Sequence, residues 1–506
     1  MSDTAASPPA ATNAAAPPVV PLTDLGRVHL IGIGGAGVSV VARLLYARAV
    51  PVQGSDAAVG PALTALRDDG IPVWVGHDAS HVIGPDGSPL VDTVVVSTAV
   101  RESNPELAAA RAAGIRVLHR SQALASVAAD MRFVAVAGAH GKTTTSAMIA
   151  TLLRECGADP SFAIGGTVRV RQADGTMAAI PGGYFGGGNV LVAEADESDG
   201  SFLNYTPTIA VVTNVEPDHL DHYGSRDAFD QAFVDFTARL GTAGFLVACA
   251  DDPGAAKLAR THAASWCQCG QHVITYGTSP DATIRITDVT SDDAGASASL
   301  SGGPLGATPL HLALSVPGVH NVLNAAAAVT TAVLLGIPPT QAAAAARAFV
   351  GTGRRFELRG QAGGVRVIDD YAHHPTEIEA LLRAARPVAG EGRVLALFQP
   401  HLYSRTRIFA DRFAAALALA DEVVVTGIYK AREDEDPTVT PRTITDLLPA
   451  TASGGSVRAI DDRVEAAHAI AAAARPGDLI LTIGAGDVTD LAPLILTDLQ
   501  PPTGTG

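Results

Sequence analysis

Short apolar runs rich in β-branched residues alternate with longer segments of helical periodicity from Arg27 to near the end of the chain. Such alternation is typical of α/β proteins, in which helices connect parallel strands. The runs form three series, and we predict strands at 28–31, 50–53, 73–75, 94–97 and 116–118 in the first, at 133–137, 190–194, 209–214 and 244–248 in the second, and at 365–368, 394–398, 422–426 and 479–483 in the third. The pattern therefore predicts three α/β units in tandem.

The boundaries between the units follow from the points where a new series begins. A tail rich in Ala and Pro precedes the first unit, and the fresh strand at 133 places the first boundary near 128. A second boundary is expected at Gly351-Thr352-Gly353, which has the composition of a hinge. We therefore predict a disordered tail at 1–26 and domains at 27–128, 129–350 and 351–506.

Composition narrows the class of protein. The 506 residues carry a net charge of −16, which argues against a sequence-independent binder of nucleic acid or anionic membranes, since such proteins need basic surfaces. The longest apolar stretch, 325–337, is shorter than the roughly 20 residues that span a bilayer. The N-terminal tail has neither the basic nor the apolar region of a signal peptide, and no cysteines form a C-x-x-C pair. We expect a cytoplasmic enzyme without nucleic-acid binding or membrane insertion.

A glycine-rich turn follows the first predicted strand, where Gly32, Gly34 and Gly37 form a G-x-G-x-x-G pattern before a helix. Glycines in this position let the backbone approach a diphosphate at the helix N-terminus. Asp56 ends the second predicted strand, about where a ribose-binding acid belongs. The pattern favours a dinucleotide or nucleotide-diphosphate site and leaves an NAD-dependent oxidoreductase open. The alternative is a turn that serves packing alone.

The second unit opens with a phosphate-loop pattern. Gly138, Gly141, Lys142 and Thr143 lie in AGAHGKTTT, directly after the strand at 133–137. In such loops backbone N–H groups surround the phosphates, the lysine brings positive charge to the β- and γ-phosphates, and the threonine offers a hydroxyl to Mg²⁺. Gly138 stands closer to Gly141 than the standard pattern requires, so a chance Gly-Lys-Thr turn is the alternative. The strand–loop–helix context favours a nucleotide-triphosphate site.

Two further predicted strands end in acidic or histidine-containing loops. The segment EADESD at 194–199 contains four carboxylates, which repel one another unless a cation lies among them. His219 lies in NVEPDHLDH, after the next strand. Each feature alone fits a solvated loop or a structural histidine. Beside a phosphate loop they favour a divalent-metal site, because phosphoryl transfer needs Mg²⁺ to neutralise developing charge.

Two loops of the third unit are expected at one edge of its sheet. DDYAHHPT at 369–376 follows one predicted strand, and QPHLYSRT at 399–406 follows the next. His373, His401 and Arg405 form a cationic cluster that can hold a carboxylate, and the alternative is a pair of loops with surface charges. Thr376 and Glu379 fit a capping box for the helix after the first loop.

The ordered combination of these motifs resembles the Mur ligases of peptidoglycan synthesis. The resemblance runs from about Val28 to Asp490 and rests on IGIGGAG, AGAHGKTTT, EADESDGSFL, NVEPDHLDHY, HNVLNA, GTGRRFE, DDYAHHPTE and FQPHLYSRT. It implies an N-terminal Rossmann-like domain for a UDP-sugar, a central P-loop-type ATPase domain with a mainly parallel sheet, and a C-terminal Rossmann-like domain that closes over the site. It also implies ATP-dependent ligation of L-alanine to the lactyl carboxylate of UDP-N-acetylmuramate through an acyl phosphate, which gives ADP and phosphate.

The matching motifs also imply roles for individual residues. The resemblance assigns the UDP-sugar to Gly32, Gly34, Gly35, Ala36, Gly37, Ser55 and Asp56. It assigns ATP to Gly138, Ala139, His140, Gly141, Lys142, Thr143, Thr144, His320, Asn321, Asn324, Arg355 and Asp370. Mg²⁺, as two ions for which Mn²⁺ can substitute, is assigned to Thr143, Glu194 and His219, and the amino acid to Tyr371, His373, His401 and Arg405. The expected catalytic residues are Lys142, His219, His373 and Arg405, with a neutral His219 or His373 as acceptor of the amine proton.

The chain departs from the family pattern at two positions. Ala139 stands where the family commonly has Thr, and Leu402 stands where many members have Arg, which removes one cation from the expected amino-acid pocket. A salvage ligase of the same family, which joins a ready-made peptide to UDP-N-acetylmuramate, shares every motif and differs only in the amino donor. A non-catalytic nucleotide sensor is a further alternative, and the sequence leaves both a monomer and a homodimer open.

Overall fold

The structure of the protein, a computed structural model, describes residues 18–171, 176–217, 220–266, 270–431, 433–449 and 451–500. The described chain forms three large sheets of five, ten and six strands and a small two-stranded sheet. Each large sheet belongs to one of the predicted units, so the three-domain α/β architecture is confirmed. No helix within the described residues is long and apolar enough to cross a membrane.

The first domain contains a five-stranded parallel sheet with the order β3-β2-β1-β4-β5. Its strands are β1 (Val28–Ile31), β2 (Val52–Asp56), β3 (Val73–Val75), β4 (Thr93–Val96) and β5 (Arg116–His119). Its helices are α1 (Ala36–Ala47), α2 (Pro61–Asp68), α3 (Pro105–Ala112) and α4 (Arg120–Ala128). The ordered chain begins before Arg27, because Leu25 is fully buried and its carbonyl accepts a hydrogen bond from the Thr93 hydroxyl. The remainder of the predicted tail, 1–17, lies outside the described residues.

The second domain contains the ten-stranded sheet, in the order β10-β7-β11-β6-β12-β13-β14-β15-β16-β17. Its strands, with the two that form the small sheet, are β6 (Arg132–Ala137), β7 (Ser161–Ala163), β8 (Val168–Arg171), β9 (Met177–Ile180), β10 (Gly183–Tyr184), β11 (Val190–Glu194), β12 (Ile209–Val212), β13 (Phe245–Cys249), β14 (His272–Gly277), β15 (Ile284–Asp292), β16 (Gly295–Ser301) and β17 (Leu310–Leu314). Its helices are α5 (Lys142–Glu155), α6 (Leu220–Tyr223), α7 (Arg226–Thr237), α8 (Pro253–Trp266), α9 (Val319–Leu334) and α10 (Pro339–Ala345). The seven neighbouring strands β7, β11, β6, β12, β13, β14 and β15 run parallel, so their carboxyl ends meet at one edge.

The third domain contains the six-stranded sheet, in the order β18-β19-β23-β20-β21-β22. Its strands are β18 (Glu357–Ala362), β19 (Val365–Asp370), β20 (Val394–Phe398), β21 (Glu422–Thr426), β22 (Val457–Ile460) and β23 (Leu479–Ile483). Its helices are α11 (Pro375–Ala389), α12 (Tyr403–Ile408), α13 (Ala410–Leu417), α14 (Arg442–Thr445), α15 (Arg463–Ala473) and α16 (Ala492–Asp498). Only the edge strand β18 runs antiparallel among the described strands of this sheet.

The helix after the first loop of the third domain begins earlier than its sequence predicts. The predicted capping box of Thr376 and Glu379 is wrong, because α11 begins at Pro375 and its capping box consists of His374 and Glu377. Proline fits the first turn of a helix, since it lacks the N–H group that would have no partner there. The shift frees the Thr376 hydroxyl from a capping role, and both Thr376 and Glu377 contribute to the site described below.

The first and second domains meet at a very close backbone contact. A Cβ atom added to Gly183 of β10 would lie 2.7 Å from the carbonyl oxygen of Val40 in α1. Real Cβ atoms do not approach a backbone oxygen so closely, so a larger residue must push β10 and α1 apart. The absence of a side chain at Gly183 therefore sets the distance between these two domains.

We predict that Gly183→Ala destabilises this contact. The extra methyl group overpacks the contact between α1 and β10, and overpacking lowers the free energy of unfolding by about 1–3 kcal/mol. The melting temperature of the variant should fall below that of the wild type. Gly187→Ala is the matched control, because a Cβ atom there would make only an ordinary 3.5 Å contact with Asp159. Equal melting temperatures for the two variants would contradict the steric argument.

Candidate active site

Two cavities lie where the three domains meet. The larger has a volume of about 1420 Å³ and is lined by residues of all three domains. The smaller, of about 670 Å³, lies between the second and third domains. Gly141 of the phosphate loop and Arg355 and Glu377 of the third domain line both cavities. These three residues therefore lie at the boundary between the cavities. A ligand that spans this boundary can place one end in each cavity.

The glycine-rich turn of the first domain forms one wall of the larger cavity. The lining residues here include Gly32, Gly35, Ala36, Gly37 and Asp56, all of which the sequence singled out. The backbone N–H of Gly34 donates a hydrogen bond to the Asp56 carboxylate at 2.9 Å, which holds that side chain at the turn. The carboxyl ends of β1 and β2 thus bring the turn and Asp56 together, as the sequence predicts for a diphosphate site.

Ser55 lies in a different environment from the rest of this set. Its side chain is fully buried, and its hydroxyl donates a 2.6 Å hydrogen bond to Glu106. The same carboxylate lies 2.6 Å from Nδ1 of His81 and 3.1 Å from Nδ1 of His77. Burial alone would raise the pKa of Glu106, but hydrogen bonds from its neighbours lower this pKa to about 2. Of these residues His77 lines the larger cavity, so the buried carboxylate orients a residue that the sequence did not indicate.

The phosphate loop connects β6 to α5 through two glycines with positive φ. Gly138 has φ of 133° and Gly141 has φ of 80°. A Cβ atom at Gly138 would lie 2.2 Å from the Thr213 hydroxyl, and one at Gly141 would lie 2.9 Å from the amide oxygen of Asn324. The loop therefore needs glycine for its conformation and for its close packing against β12 and α9. These constraints explain both glycines of the sequence motif.

Lys142 forms an ion pair with a buried carboxylate of the acidic loop. Its ammonium group lies 2.9 Å from both oxygens of Glu197, and it also donates to the carbonyl of Gly138 at 2.7 Å. Burial raises the pKa of Glu197 to about 7, against the opposing effect of Lys142. Burial alone would lower the pKa of Lys142, but the acidic neighbours raise it, so the lysine stays charged. The phosphate loop therefore has a protonated lysine where a triphosphate would lie.

The acidic loop is also neutralised from the first domain. Arg120, at the start of α4, donates to Asp196 at 2.7 Å. Burial would raise the pKa of Asp196, but the charges of Lys142 and Arg120 lower it to about 2. Two of the four carboxylates at 194–199 are thus paired with cations of the protein itself. Arg120 lines the larger cavity, and no motif in the sequence indicates it.

Glu194 and Thr143, two of the expected metal ligands, lie next to each other. The Thr143 hydroxyl donates to Glu194 at 3.0 Å, and the Gly165 N–H donates to the same carboxylate at 2.7 Å. Burial raises the pKa of Glu194, so a divalent cation at this carboxylate would favour its charged form. Both side chains line the larger cavity beside Lys142, and their oxygen atoms suit Mg²⁺. The third expected ligand, His219, lies outside the described residues.

The smaller cavity contains the remaining residues expected at a nucleotide. Its lining includes His140, Gly141, Thr144, His320, Asn321, Asn324, Arg355 and Asp370. Thr145 of α5 donates to the amide oxygen of Asn324 at 3.2 Å, which ties α9 to the helix that follows the phosphate loop. Burial lowers the pKa of His320 to about 4, so its ring is neutral at pH 7. This cavity has the size and polar groups to bind a nucleoside.

Asp370 ends β19 and is held by the backbone. Its carboxylate accepts hydrogen bonds from the N–H groups of Phe356 at 2.7 Å and Ala372 at 2.8 Å. Burial raises the pKa of Asp370 to about 6, although the charge of Arg355 opposes this shift. The carboxylate is therefore largely ionised at pH 7 and becomes protonated in mildly acidic solution.

The four residues expected at the amino acid lie together in the larger cavity. The rings of Tyr371 and His373 are 5.3 Å apart, and those of His373 and His401 are 5.8 Å apart. Arg405 is buried, and its guanidinium lies 3.4 Å from Nδ1 of His401. Arg355 lies over the Tyr371 ring at 5.0 Å. The loops after β19 and β20 therefore form the single cationic cluster that the sequence predicts.

Glu216 connects the phosphate loop to the third domain. Its carboxylate lies 2.9 Å from Nε2 of His140, accepts the Thr376 hydroxyl at 2.8 Å, and pairs with Arg412 at 2.5 Å. The burial of Glu216 would raise its pKa, but hydrogen bonds from His140 and Arg412 lower it. His140 also stacks near His374, with ring centroids 4.6 Å apart. We name Glu216, His140, His374, Thr376 and Arg412 the Glu216 junction. Glu216 lies in the NVEPDHLDH motif, of which only His219 was interpreted from the sequence.

Glu377 is a second functional candidate that the sequence analysis missed. It lines both cavities and lies 3.8 Å from Arg355 and 3.8 Å from Nδ1 of His140. Burial would raise the pKa of Glu377, but the charges of His373, Arg355 and His140 lower it. Placing the capping box two residues earlier, at His374 and Glu377, would have indicated this carboxylate.

Three family models match successive parts of the chain. Residues 27–132 match the Mur ligase family catalytic domain, residues 136–332 match the Mur ligase middle domain, and residues 354–486 match the Mur ligase glutamate ligase domain. The limits of these matches lie close to the predicted domain boundaries, which themselves stay predictions.

Named relatives and solved structures match almost the whole chain. The UDP-N-acetylmuramate–L-alanine ligase of Kineococcus radiotolerans is 56% identical over 93% of this chain and 96% of its own length, and that of Renibacterium salmoninarum is 51% identical over 96% and 98%. The crystal structure of UDP-N-acetylmuramate–alanine ligase from Thermotoga maritima matches with a TM-score of 0.73 and 29% identity over 93% of this chain and 98% of that one. A murein peptide ligase from Psychrobacter arcticus matches with a TM-score of 0.67 and 25% identity over 95% and 100%.

We predict that Arg412→Ala weakens the contact between the second and third domains. Arg412 is 48% exposed, and exposed ion pairs stabilise by about 0.2–1 kcal/mol. The loss should shift the population towards separated domains, so that the KM for ATP rises by about 1.5- to 5-fold. Arg383→Ala is the control, because Arg383 lies in the same domain and pairs only with Glu379 within α11 among the described residues. An Arg412→Ala KM equal to that of the control would contradict this role.

Proposed function

This chain belongs to the Mur ligase family, and we propose that it joins L-alanine to the lactyl carboxylate of UDP-N-acetylmuramate, a reaction in which ATP is converted to ADP and phosphate. The observation that carries this proposal is that three groups of expected substrate-binding residues meet at the phosphate loop. The glycine turn with Asp56, the loop with Lys142, and the cluster around His401 line one continuous cavity. An acceptor, a phosphoryl donor and an amine can therefore react in one place.

The choice of L-alanine as the donor is supported by the degree of relatedness. Three relatives named for L-alanine addition are 56%, 51% and 52% identical to this chain, whereas the murein peptide ligase from Psychrobacter arcticus is 25% identical. Peptide salvage is therefore the second candidate. The arrangement favours neither an NAD-dependent oxidoreductase nor a nucleotide sensor, since both leave the cluster of His373, His401 and Arg405 at the end of the phosphate loop unexplained.

We propose that ATP lies across the boundary between the two cavities. The base and ribose would lie in the smaller cavity, near His320, Asn321 and Asp370. The triphosphate would extend past Gly141 to Lys142 and Thr143 in the larger cavity. In this position the γ-phosphate faces the first domain, where the glycine turn and Arg120 would hold the diphosphate of UDP-N-acetylmuramate.

In the first chemical step the lactyl carboxylate oxygen attacks the γ-phosphorus, and the bond to ADP breaks. Lys142 provides positive charge where the transferred group gains negative charge. Thr143 and Glu194, with His219, would hold Mg²⁺, which neutralises phosphate charge when bound. We propose two such ions, for which Mn²⁺ can substitute. The product of this step is an acyl phosphate and ADP.

In the second step the amine of L-alanine attacks the acyl carbon, and phosphate leaves. Arg405 and His401 would hold the carboxylate of L-alanine, and this orients the amine towards the acyl group. The amine must lose a proton, and we propose His373 as the acceptor. The Nδ1 atom of His373 lies 3.5 Å from the carboxylate of Glu377. That carboxylate would stabilise the charged ring that results.

The decisive experiment measures phosphate release with ATP, Mg²⁺ and UDP-N-acetylmuramate. L-Alanine, glycine, L-serine and the tripeptide that begins with L-Ala-γ-D-Glu are compared as donors at equal concentration. We expect the highest kcat/KM with L-alanine. Release with the tripeptide alone would leave the acyl-phosphate chemistry in place but assign the protein to peptide salvage.

A substitution at the phosphate loop tests the same proposal from the ATP side. Lys142→Met removes the charge near the transferred phosphoryl group, so kcat should fall by more than about tenfold, equivalent to about 1.4 kcal/mol. Lys257→Met is the control, because Lys257 is 67% exposed on α8. Thermal melts of both variants establish that they fold. Activity of Lys142→Met within tenfold of the wild type would rule out the role of this loop.

The pKa of Asp370, about 6, predicts how ATP binding depends on pH. The ionised carboxylate can accept a strong hydrogen bond from a ribose hydroxyl, and protonation weakens this acceptor because the neutral carboxyl group has lost its negative charge. Between pH 7 and pH 5 the ionised fraction falls about tenfold, so the KM for ATP should rise by up to about tenfold. Asp370→Asn should have a raised KM at pH 7 and lack this additional rise, while ATP protonation affects both proteins equally. Parallel pH profiles for the two proteins would contradict the prediction.

A further inference from the structure

The loop that follows β21 forms part of the wall beside the amino-acid cluster. Ala431 of this loop lines the larger cavity together with His401, Leu402 and Arg405. The Tyr429 ring lies nearly parallel to the His401 ring, with centroids 5.7 Å apart and 17° between their planes. No motif in the sequence indicates a role for this loop. Its contacts place it against the residues proposed to hold the amino acid.

Backbone hydrogen bonds join the loop to the segment that contains His401. The N–H of Leu402 donates to the carbonyl of Tyr429 at 2.9 Å, and the N–H of Tyr429 donates to the carbonyl of Pro400 at 2.8 Å. Leu402 has a positive φ of 69°, which a residue with a side chain rarely adopts. The loop therefore holds the chain in a strained conformation just before α12 begins.

Glu433 of the same loop accepts three hydrogen bonds from the start of α12. The N–H of Tyr403 donates to its carboxylate at 2.6 Å, the N–H of Ser404 donates at 3.2 Å, and the Ser404 hydroxyl donates to its second oxygen. The first N–H groups of a helix have no partners within the helix, so this carboxylate satisfies groups that α12 cannot satisfy itself. Arg405 is the next residue along the chain.

We propose that Glu433 is a positioning residue for the donor amino acid. It fixes the first turn of α12 and thereby the direction in which Arg405 extends towards His401. This inference rests on the proposed function, because it assumes that the amino acid binds at Arg405 and His401. Glu433 does not itself line the cavity, so its effect on binding is transmitted through the helix.

A second attachment of the loop lies on the outer side of α12 and serves as a contrast. Arg407 donates to Asp436 and, at 3.1 Å, to the Thr438 hydroxyl. Arg407 is 57% exposed, so this ion pair faces solvent and away from the cavity. Of the two attachments, Glu433 is the one whose partners directly precede Arg405 in the chain.

The test compares steady-state kinetics of wild type, Glu433→Ala and Glu433→Gln. In Glu433→Ala the KM for L-alanine should rise by about tenfold or more, while the KM values for ATP and UDP-N-acetylmuramate stay within about twofold. Glu433→Gln should restore most of the affinity, because its amide oxygen can accept from the N–H groups of Tyr403 and Ser404. Glu435→Gln is the matched control, since Glu435 is exposed on the same loop and loses the same charge.

The possible results separate the inference from the proposed function. A wild type that releases no phosphate with L-alanine refutes the proposed function, and the comparison is then made with the donor amine that the wild type does use. An unchanged KM for the donor in Glu433→Ala overturns the inference. An equal rise of all three KM values, or an equal effect of Glu435→Gln, also overturns it, because general destabilisation or loss of charge then explains the result.

Discussion

The pairing of carboxylates of the second domain with cations is the constraint on which the site depends. Glu197 is buried and Asp196 is partly buried just after the end of β11, and burying a charge without a partner is costly. Lys142 of the phosphate loop neutralises Glu197, and Arg120 of the first domain neutralises Asp196. Glu216 is matched in the same way by Arg412 of the third domain. Charges of the central domain therefore find their partners in both of its neighbours, and this draws the three domains around the phosphate loop.

This arrangement explains how one cavity serves a reaction of three substrates. Parallel strands place their loops at their carboxyl ends, and each domain turns that edge towards the others. The Gly183 contact sets the spacing of the first two domains, and the Glu216 junction sets that of the last two. A residue remote from the chemistry thus controls the distance between an acyl phosphate and an amine, on which the rate of attack depends steeply.

In the third domain, the residues that face the cavity are held in place by residues behind them. Arg405 and His401 face the cavity, Glu433 holds the helix that contains Arg405, and Tyr429 supports the His401 ring. Leu402 removes one cation from the expected pocket, so more of the carboxylate binding falls on Arg405. A single cation orients a carboxylate well only if its own side chain is held rigidly. Glu433 provides this rigidity from outside the cavity.

The sequence by itself determined the three α/β units, the phosphate loop and the strand-end motifs, because periodicity, glycine spacing and strand-to-helix order are local properties of the chain. It did not indicate Arg120 or Glu433, whose partners are distant in sequence, and it placed the capping box at Thr376 and Glu379 because capping was judged by residue type alone. It also assigned Ser55 to a ligand, whereas the folded chain buries its hydroxyl against Glu106. Only the tertiary structure decided these points, since burial and charge pairing between domains exist only once the sheets have packed together.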